Sequence, residues 1–208
     1  MTIYKNQISI LKKDKRLKSV INKATKDIKP SLEFDIYHYL LESIVSQQLS
    51  VKVADIIFNR VLDLFPNRYL NAKQLIAMDK EILRKAGLSY RKVDYLKNVA
   101  EFSLENTFDY ETLQKMTDNK LIDYFTQIKG VGKWTVQMLL MFPMDRPDVF
   151  PVDDLGIQNN MKEIYGLISD KNNPDSLSKK EFKIALEDIA NNWKPYRTLA
   201  SKYIWNYK

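Results

Sequence analysis

The sequence has no cysteine and a single histidine. A disulfide frame, a thiol nucleophile, a zinc centre and an iron–sulfur cluster are thereby excluded. The lone His38 lies in an amphipathic stretch, which suits a surface or packing residue better than a catalyst. Glycine and proline are scarce, at 5 and 7 in 208 residues, so long helices fit better than many turns. No strand-like alternation of any length is present, nor any repeat or low-complexity tract. No apolar run is long enough to span a bilayer, and no secretory leader is visible at the N-terminus. The expectation is a cytoplasmic protein with no membrane partner.

What is there is ordinary in amount and uneven in sign. Hydrophobic residues make up 45% and charged residues 28%, a globular balance. The length allows one domain or two tight lobes around a sizeable core. Lys and Arg number 33 against 26 Asp and Glu, a net charge of +7, which suits a polyanionic partner. Nine basic residues fall in the first thirty positions, with Ile8, Leu11, Leu17, Val20 and Ile21 forming a weak helical stripe. A solvated helical face is the preferred reading of that segment over a binding patch.

The remaining chain is organised around Ile128-Lys129-Gly130-Val131-Gly132-Lys133-Trp134-Thr135. Leu121, Ile122, Tyr124, Phe125 and Ile128 recur at helical spacing before it, and Trp134, Val136, Met138, Leu139, Met141 and Phe142 form an apolar run after it. Two glycines between two helices permit a tight turn and leave the N–H groups at the second helix start bare, a ready anion site. A simple helical hairpin with a glycine stop is one reading. A nucleotide-binding P-loop fails, because Trp134 follows Gly132-Lys133 where Ser or Thr is required, and Gln127 stands where the first glycine belongs. A dinucleotide fingerprint fails at Thr135. A helix-hairpin-helix that grips a DNA phosphate through backbone amides remains.

Around it, residues 36–45 and 51–65 read as helices flanking Ser46-Gln47-Gln48-Leu49-Ser50, with Ser50 as N-cap. The two glutamines suit either solvent or a DNA groove. Asn71, Asp79, Ser89 and Thr117 read as caps of further helices, and Gly87 as a helix stop. Pro151-Val152-Asp153-Asp154-Leu155-Gly156-Ile157 sets two aspartates at a loop-to-helix boundary. One cap uses one carboxylate, which leaves the other over. Residues 169–177 read as a polar loop, Ser178-Lys179-Lys180-Glu181 as a capping box, and Trp193-Lys194-Pro195-Tyr196-Arg197 as the start of a terminal helix with Pro195 near its first position. The fold class is all-α.

In this order these segments, together with Leu88-Ser89-Tyr90-Arg91-Lys92, resemble the helix-hairpin-helix–GPD superfamily of DNA base-excision glycosylases. The likeness is nearer to the DNA-3-methyladenine glycosylase II branch and runs from about Leu40 to Trp205. It implies two helical lobes with a central DNA-binding cleft. Residues 35–146 would form a six-helix barrel lobe with the hairpin, and 1–34 plus 147–208 the second lobe. It implies a monomer acting on double-stranded DNA with alkylated bases. It implies no cofactor, while leaving room for a monovalent cation at the hairpin carbonyls.

The resemblance also assigns residues. An Asp-x-x-Ile match places the catalytic acid at Asp154, with Asp153 as cap or support; a match anchored on Pro151 picks Asp153 instead. Trp205 and Trp134, with Met138, would line the base pocket. Lys129, Gly130, Val131, Gly132 and Lys133 would hold the DNA strand. Gln48 falls at the wedge position, where relatives often carry an apolar residue, so the wedge stays open among Gln47, Gln48 and Leu49. The strand-nicking branch carries a lysine two residues after the second hairpin glycine. Trp134 stands there, and Lys133 is about a hundred degrees away round the helix. The implied activity is monofunctional hydrolysis of an N-glycosidic bond. A glycosylase for oxidised purine or uracil, and a non-catalytic DNA-binding protein, are the rival readings.

Overall fold

The computed structural model describes residues 4–25, 27–30, 35–168 and 177–207. Among them every regular element is helical, in chain order α1 (Lys5–Leu11), α2 (Lys15–Lys23), α3 (Ile36–Ser46), α4 (Val51–Leu62), α5 (Ala72–Ala77), α6 (Lys80–Lys85) and α7 (Tyr90–Glu105), then α8 (Tyr110–Gln114), α9 (Asp118–Phe125), α10 (Lys133–Met141), α11 (Leu155–Tyr165), α12 (Lys179–Asn191) and α13 (Arg197–Trp205). A short 3-10 turn, Pro66–Arg68, follows α4.

Helix starts follow the local chemistry. Asn71, Asp79, Ser89 and Thr117 each accept backbone N–H groups of the first turn they precede. Ser178 and Glu181 complete a reciprocal capping box. Gly87 ends α6 at φ +114°. Two expectations differ. Ser50 occupies the N-cap position of α4 with extended backbone, but its hydroxyl makes no cap bond. Pro195 precedes the terminal helix, which begins at Arg197 with Tyr196 as N-cap. The weak N-terminal stripe resolves into two helices, because Asp14 caps α2 through Arg16 and Leu17. Most of the polar 169–177 loop lies outside the described residues.

The chain divides into two compact units, Met1–Ser31 with Asp145–Lys208, and Leu32–Met144. In the second, α3, α5 and α6 pack on α7, α4 packs on α3, and α10 packs on α3 and α9. Leu40, Leu41, Ile44 and Val45 of α3 are fully buried. From Thr135 to Met141 every residue of α10 is buried, the polar Thr135 and Gln137 among them. His38 packs its ring against Phe58 and stacks on Tyr69, 5.9 Å between centroids, the packing role expected of it.

In the unit formed by the two ends of the chain, α2, α11 and α13 pack together and α1 lies on α2. Leu17, Ile157, Met161, Leu186, Trp193, Ala200 and Ile204 form its core. Asp14 knots this core. Besides capping α2 it accepts from Trp193 Nε1 at 3.0 Å and from the Tyr165 hydroxyl at 2.7 Å. Burial pushes its carboxyl up, but these hydrogen bonds and those from Leu17 and Arg16 outweigh it and hold the pKa below the ordinary value.

Candidate functional site

The hairpin is a closed turn on the surface of its unit. After α9 the chain turns through Ile128 N–H to Phe125 O (3.1 Å) and Val131 N–H to Ile128 O (3.0 Å). Ile128 and Val131 are buried and anchor it, while Lys129, Gly132 and Lys133 are exposed. The two glycines do different things. Gly130 sits at φ +108°, and a Cβ there would lie 2.2 Å from Cγ of Tyr95, so both conformation and space require it. Gly132 has an ordinary φ of −97°, and nothing lies within 4 Å of where its Cβ would be. The protein itself makes no demand for glycine at 132. What the bare residue gives is unobstructed approach to the start of α10, since Gly132 has no side chain of its own to cap the first turn.

The α3–α4 turn is fastened to this hairpin. Gln47 Nε2 donates to Gly130 O at 3.3 Å and lies 3.5 Å from Thr135 Oγ1. Lys92, on α7, donates to Val45 O (2.6 Å) and Gln47 O (2.8 Å), and burial lowers its pKa. The structure separates the three wedge candidates. Gln47 is half-buried with its amide on the hairpin, whereas Gln48 and Leu49 are exposed. Gln48 also holds φ +60°, a left-handed conformation that costs a non-glycine residue about 1 kcal/mol or more. On α10, Trp134 is half-buried and Met138 is only 3% exposed.

The acidic site belongs to the other unit. Asp154 is the N-cap of α11, its Oδ1 accepting Ile157 N–H at 2.9 Å, and the residue is 6% exposed. Asp153 is exposed and ion-paired with Lys183 of α12. Cap and candidate acid are therefore one residue, Asp154, and of the two roles the resemblance left to Asp153, cap or support, the cap is not one it fills. A carboxylate has two oxygens and about four acceptor sites, so capping does not exhaust it. Trp205 adjoins it: a point one bond from Gly156 Cα, where a side chain would start, lies 2.7 Å from Trp205 Nε1 and 3.1 Å from Asp154 Oδ1.

Several residues that sequence patterns missed hold this arrangement. Arg197 makes a forked pair with Asp148, 2.7 and 2.9 Å, and Nη2 also reaches Asp148 O. The Thr198 hydroxyl donates to Arg146 O and accepts Val149 N–H. These bonds tie the loop leading to Asp154 onto the start of α13, which carries Trp205. Next to them Asp145 receives the Tyr4 hydroxyl at 3.0 Å and Lys202 Nζ at 3.1 Å. Burial, then that hydrogen bond and charge, raise the Tyr4 phenol above its usual range. Tyr4, Asp145, Arg146, Tyr196 and Lys202 border a cavity of about 270 Å³. Among the described residues no group of three or more His, Asp or Glu side chains could hold a metal ion, and no helix is long and apolar enough to cross a membrane.

Residues 41–187 match the HhH-GPD superfamily of base excision DNA repair proteins, and the chain belongs to that family. Among individual relatives, it is 36% identical over 171 residues to DNA-3-methyladenine glycosylase 1 of Schizosaccharomyces pombe, covering 81% of this chain and 71% of that protein. The solved complex of S. pombe 3-methyladenine DNA glycosylase Mag1 with abasic DNA superposes with a TM-score of 0.80 at 32% identity, covering 96% and 95%. A DNA-3-methyladenine glycosidase from Bacillus halodurans superposes at 0.78 with 31% identity, covering 99% and 90%.

Proposed function

We propose that this chain is a monofunctional DNA glycosylase that hydrolyses the N-glycosidic bond of alkylated purines such as 3-methyladenine. The observation that carries the reading is the pairing of a buried, helix-capping Asp154 with Trp205 in a chain whose other unit presents an open glycine hairpin. The names of the relatives point the same way.

The chemistry follows from the residues. A base inside a duplex must be swung out, at a cost of a few kcal/mol. The N-terminus of α10, opened by Gly132 and with Lys129 and Lys133 beside it, holds the strand by its phosphate and offsets that cost. Gln48 or Leu49, exposed on a turn pinned by Lys92 and Gln47, fills the gap the base leaves. An electron-poor alkylated purine stacks on an indole face, and Trp205 and Trp134 offer such faces. Its positive charge makes it a good leaving group, so no strong general acid is required. Bond breaking builds positive charge on the sugar. The Asp154 carboxylate stabilises it and orients the attacking water. Trp134 stands where a lysine nucleophile would form a covalent sugar adduct, so the product is an intact abasic strand.

The test is release of free base from duplexes carrying 3-methyladenine, 8-oxoguanine or uracil, followed by a search for strand nicks. Alkylated base released without nicks is the expected result. Release from the oxidised or uracil duplex alone would reassign the lesion. Tight binding with no release from any would make this a non-catalytic DNA-binding protein.

A further inference from the structure

Gly156 is the second residue of α11, a position where glycine is an unfavourable choice. Helical glycine costs up to about 1 kcal/mol relative to alanine. The backbone does not ask for it, since the glycines at positive φ are Gly87, Gly130 and Gly166. Space does. A Cβ on Gly156 would lie 2.7 Å from Trp205 Nε1, 2.9 Å from Trp205 Cδ1 and 3.1 Å from Asp154 Oδ1. The indole atoms met, Nε1 and Cδ1, belong to the five-membered ring.

We infer that Gly156 is a positioning residue for base release: its missing side chain is the slot that seats the Trp205 indole beside Asp154. The inference rests on the reading of these two residues as base platform and acid. Base and sugar are joined by one bond, so the place of the platform decides where that bond sits relative to the carboxylate. An alanine methyl would push the indole edge back by about 1 Å to reach ordinary contact near 3.5–4.0 Å. A displacement of that size in a reacting complex is enough for a loss of up to about a hundredfold in rate.

The test is a two-by-two set of variants: wild type, Gly156→Ala, Trp205→Ala and the double variant. Each is measured for single-turnover release of 3-methyladenine, for affinity towards an abasic duplex and for thermal unfolding. Gly156→Ala alone should slow release at least about tenfold with abasic-duplex affinity within about twofold, since the phosphate grip lies elsewhere. Added to Trp205→Ala it should cost far less than it does alone, because only the Asp154 Oδ1 contact then remains for the methyl to meet. Full release by Gly156→Ala, or an equal loss in both backgrounds, overturns the inference. If Gly156→Ala does not fold, the double variant decides. Folding of the double supports the seat, and failure of both shows that the glycine serves the helix and not the indole. Asp154→Asn separates the two levels. An active Asn variant defeats the underlying site reading, whereas an inactive one beside a fully active Gly156→Ala defeats this inference alone.

Discussion

Replacing Asp154 with asparagine removes one charge while leaving almost everything else in place. The side chains have the same shape, and asparagine caps helices as well as aspartate does, so the bond from Ile157 N–H to Oδ1 survives. The stability cost is the lost attraction between a carboxylate and the α11 N-terminus, about 0.3–1 kcal/mol. Catalysis loses more. A carboxylate about 4 Å from a developing positive charge is worth about 4 kcal/mol at an effective dielectric of about 20, close to a thousandfold in rate. Asp154→Ala serves as the contrast, because it removes charge and cap together and costs about 1 kcal/mol of stability, up to about 2. The assay is single-turnover release of alkylated base, paired with thermal unfolding and binding to abasic DNA. The Asn variant should bind like the parent, melt no more than about 4 °C below it, and release base about a thousandfold more slowly. Release at the parental rate would refute the electrostatic role. Loss of DNA binding in parallel would show that Asp154 supports the interface instead.

Three further outcomes follow from the geometry. Gly132→Ala should leave unfolding unchanged and weaken duplex binding, since its Cβ would meet only open space; Gly130→Ala should cost about 2–4 kcal/mol in denaturant unfolding, from positive φ and overlap with Tyr95, and equal stability of the two variants would contradict this. Asp14→Ala should destabilise the protein by about 2–4 kcal/mol at neutral pH, because it strands the Trp193 and Tyr165 donors and uncaps α2. As the folded-state pKa of Asp14 is lowered, the charge-linked part of its contribution is complete above the ordinary value of 3.8 and is lost as pH falls through the folded value, so the gap between wild type and variant should narrow in acid denaturation experiments below that point. Arg197→Lys keeps the charge but loses the fork to Asp148, and should lower stability by about 1–2 kcal/mol; an unchanged denaturation midpoint would show that the fork contributes nothing.

What the sequence revealed was mostly local. Caps such as Asn71, Asp79, Ser89 and Thr117 act within three residues of themselves, and the all-helical class follows from periodicity. The hairpin was readable because two glycines between apolar runs leave few alternatives. What escaped depends on partners far along the chain. Nothing near Gly130 announces Tyr95, and nothing near Asp14 announces Trp193, 179 positions away. The two adjacent aspartates look alike in sequence; only burial and the Lys183 partner tell them apart. Ser50 carries a good capping side chain that the structure leaves unused. The five-residue α8 is too short for any periodicity to show. Gly156 was part of a recognised motif, yet the lack of room for a Cβ there shows only once Trp205, 49 positions on, is placed against it.

The three tryptophans also make the molecule its own optical reporter. Trp193 is locked in a core at 1% exposure, while Trp134 and Trp205 are half-exposed. Replacing the latter two leaves an emitter that registers global unfolding. Retaining just one of them gives a probe of its own lobe, and under the proposed role of both as base platforms a stacked nucleobase would quench it. With no native thiol in the chain, a single introduced cysteine could then carry an acceptor dye without competing labels.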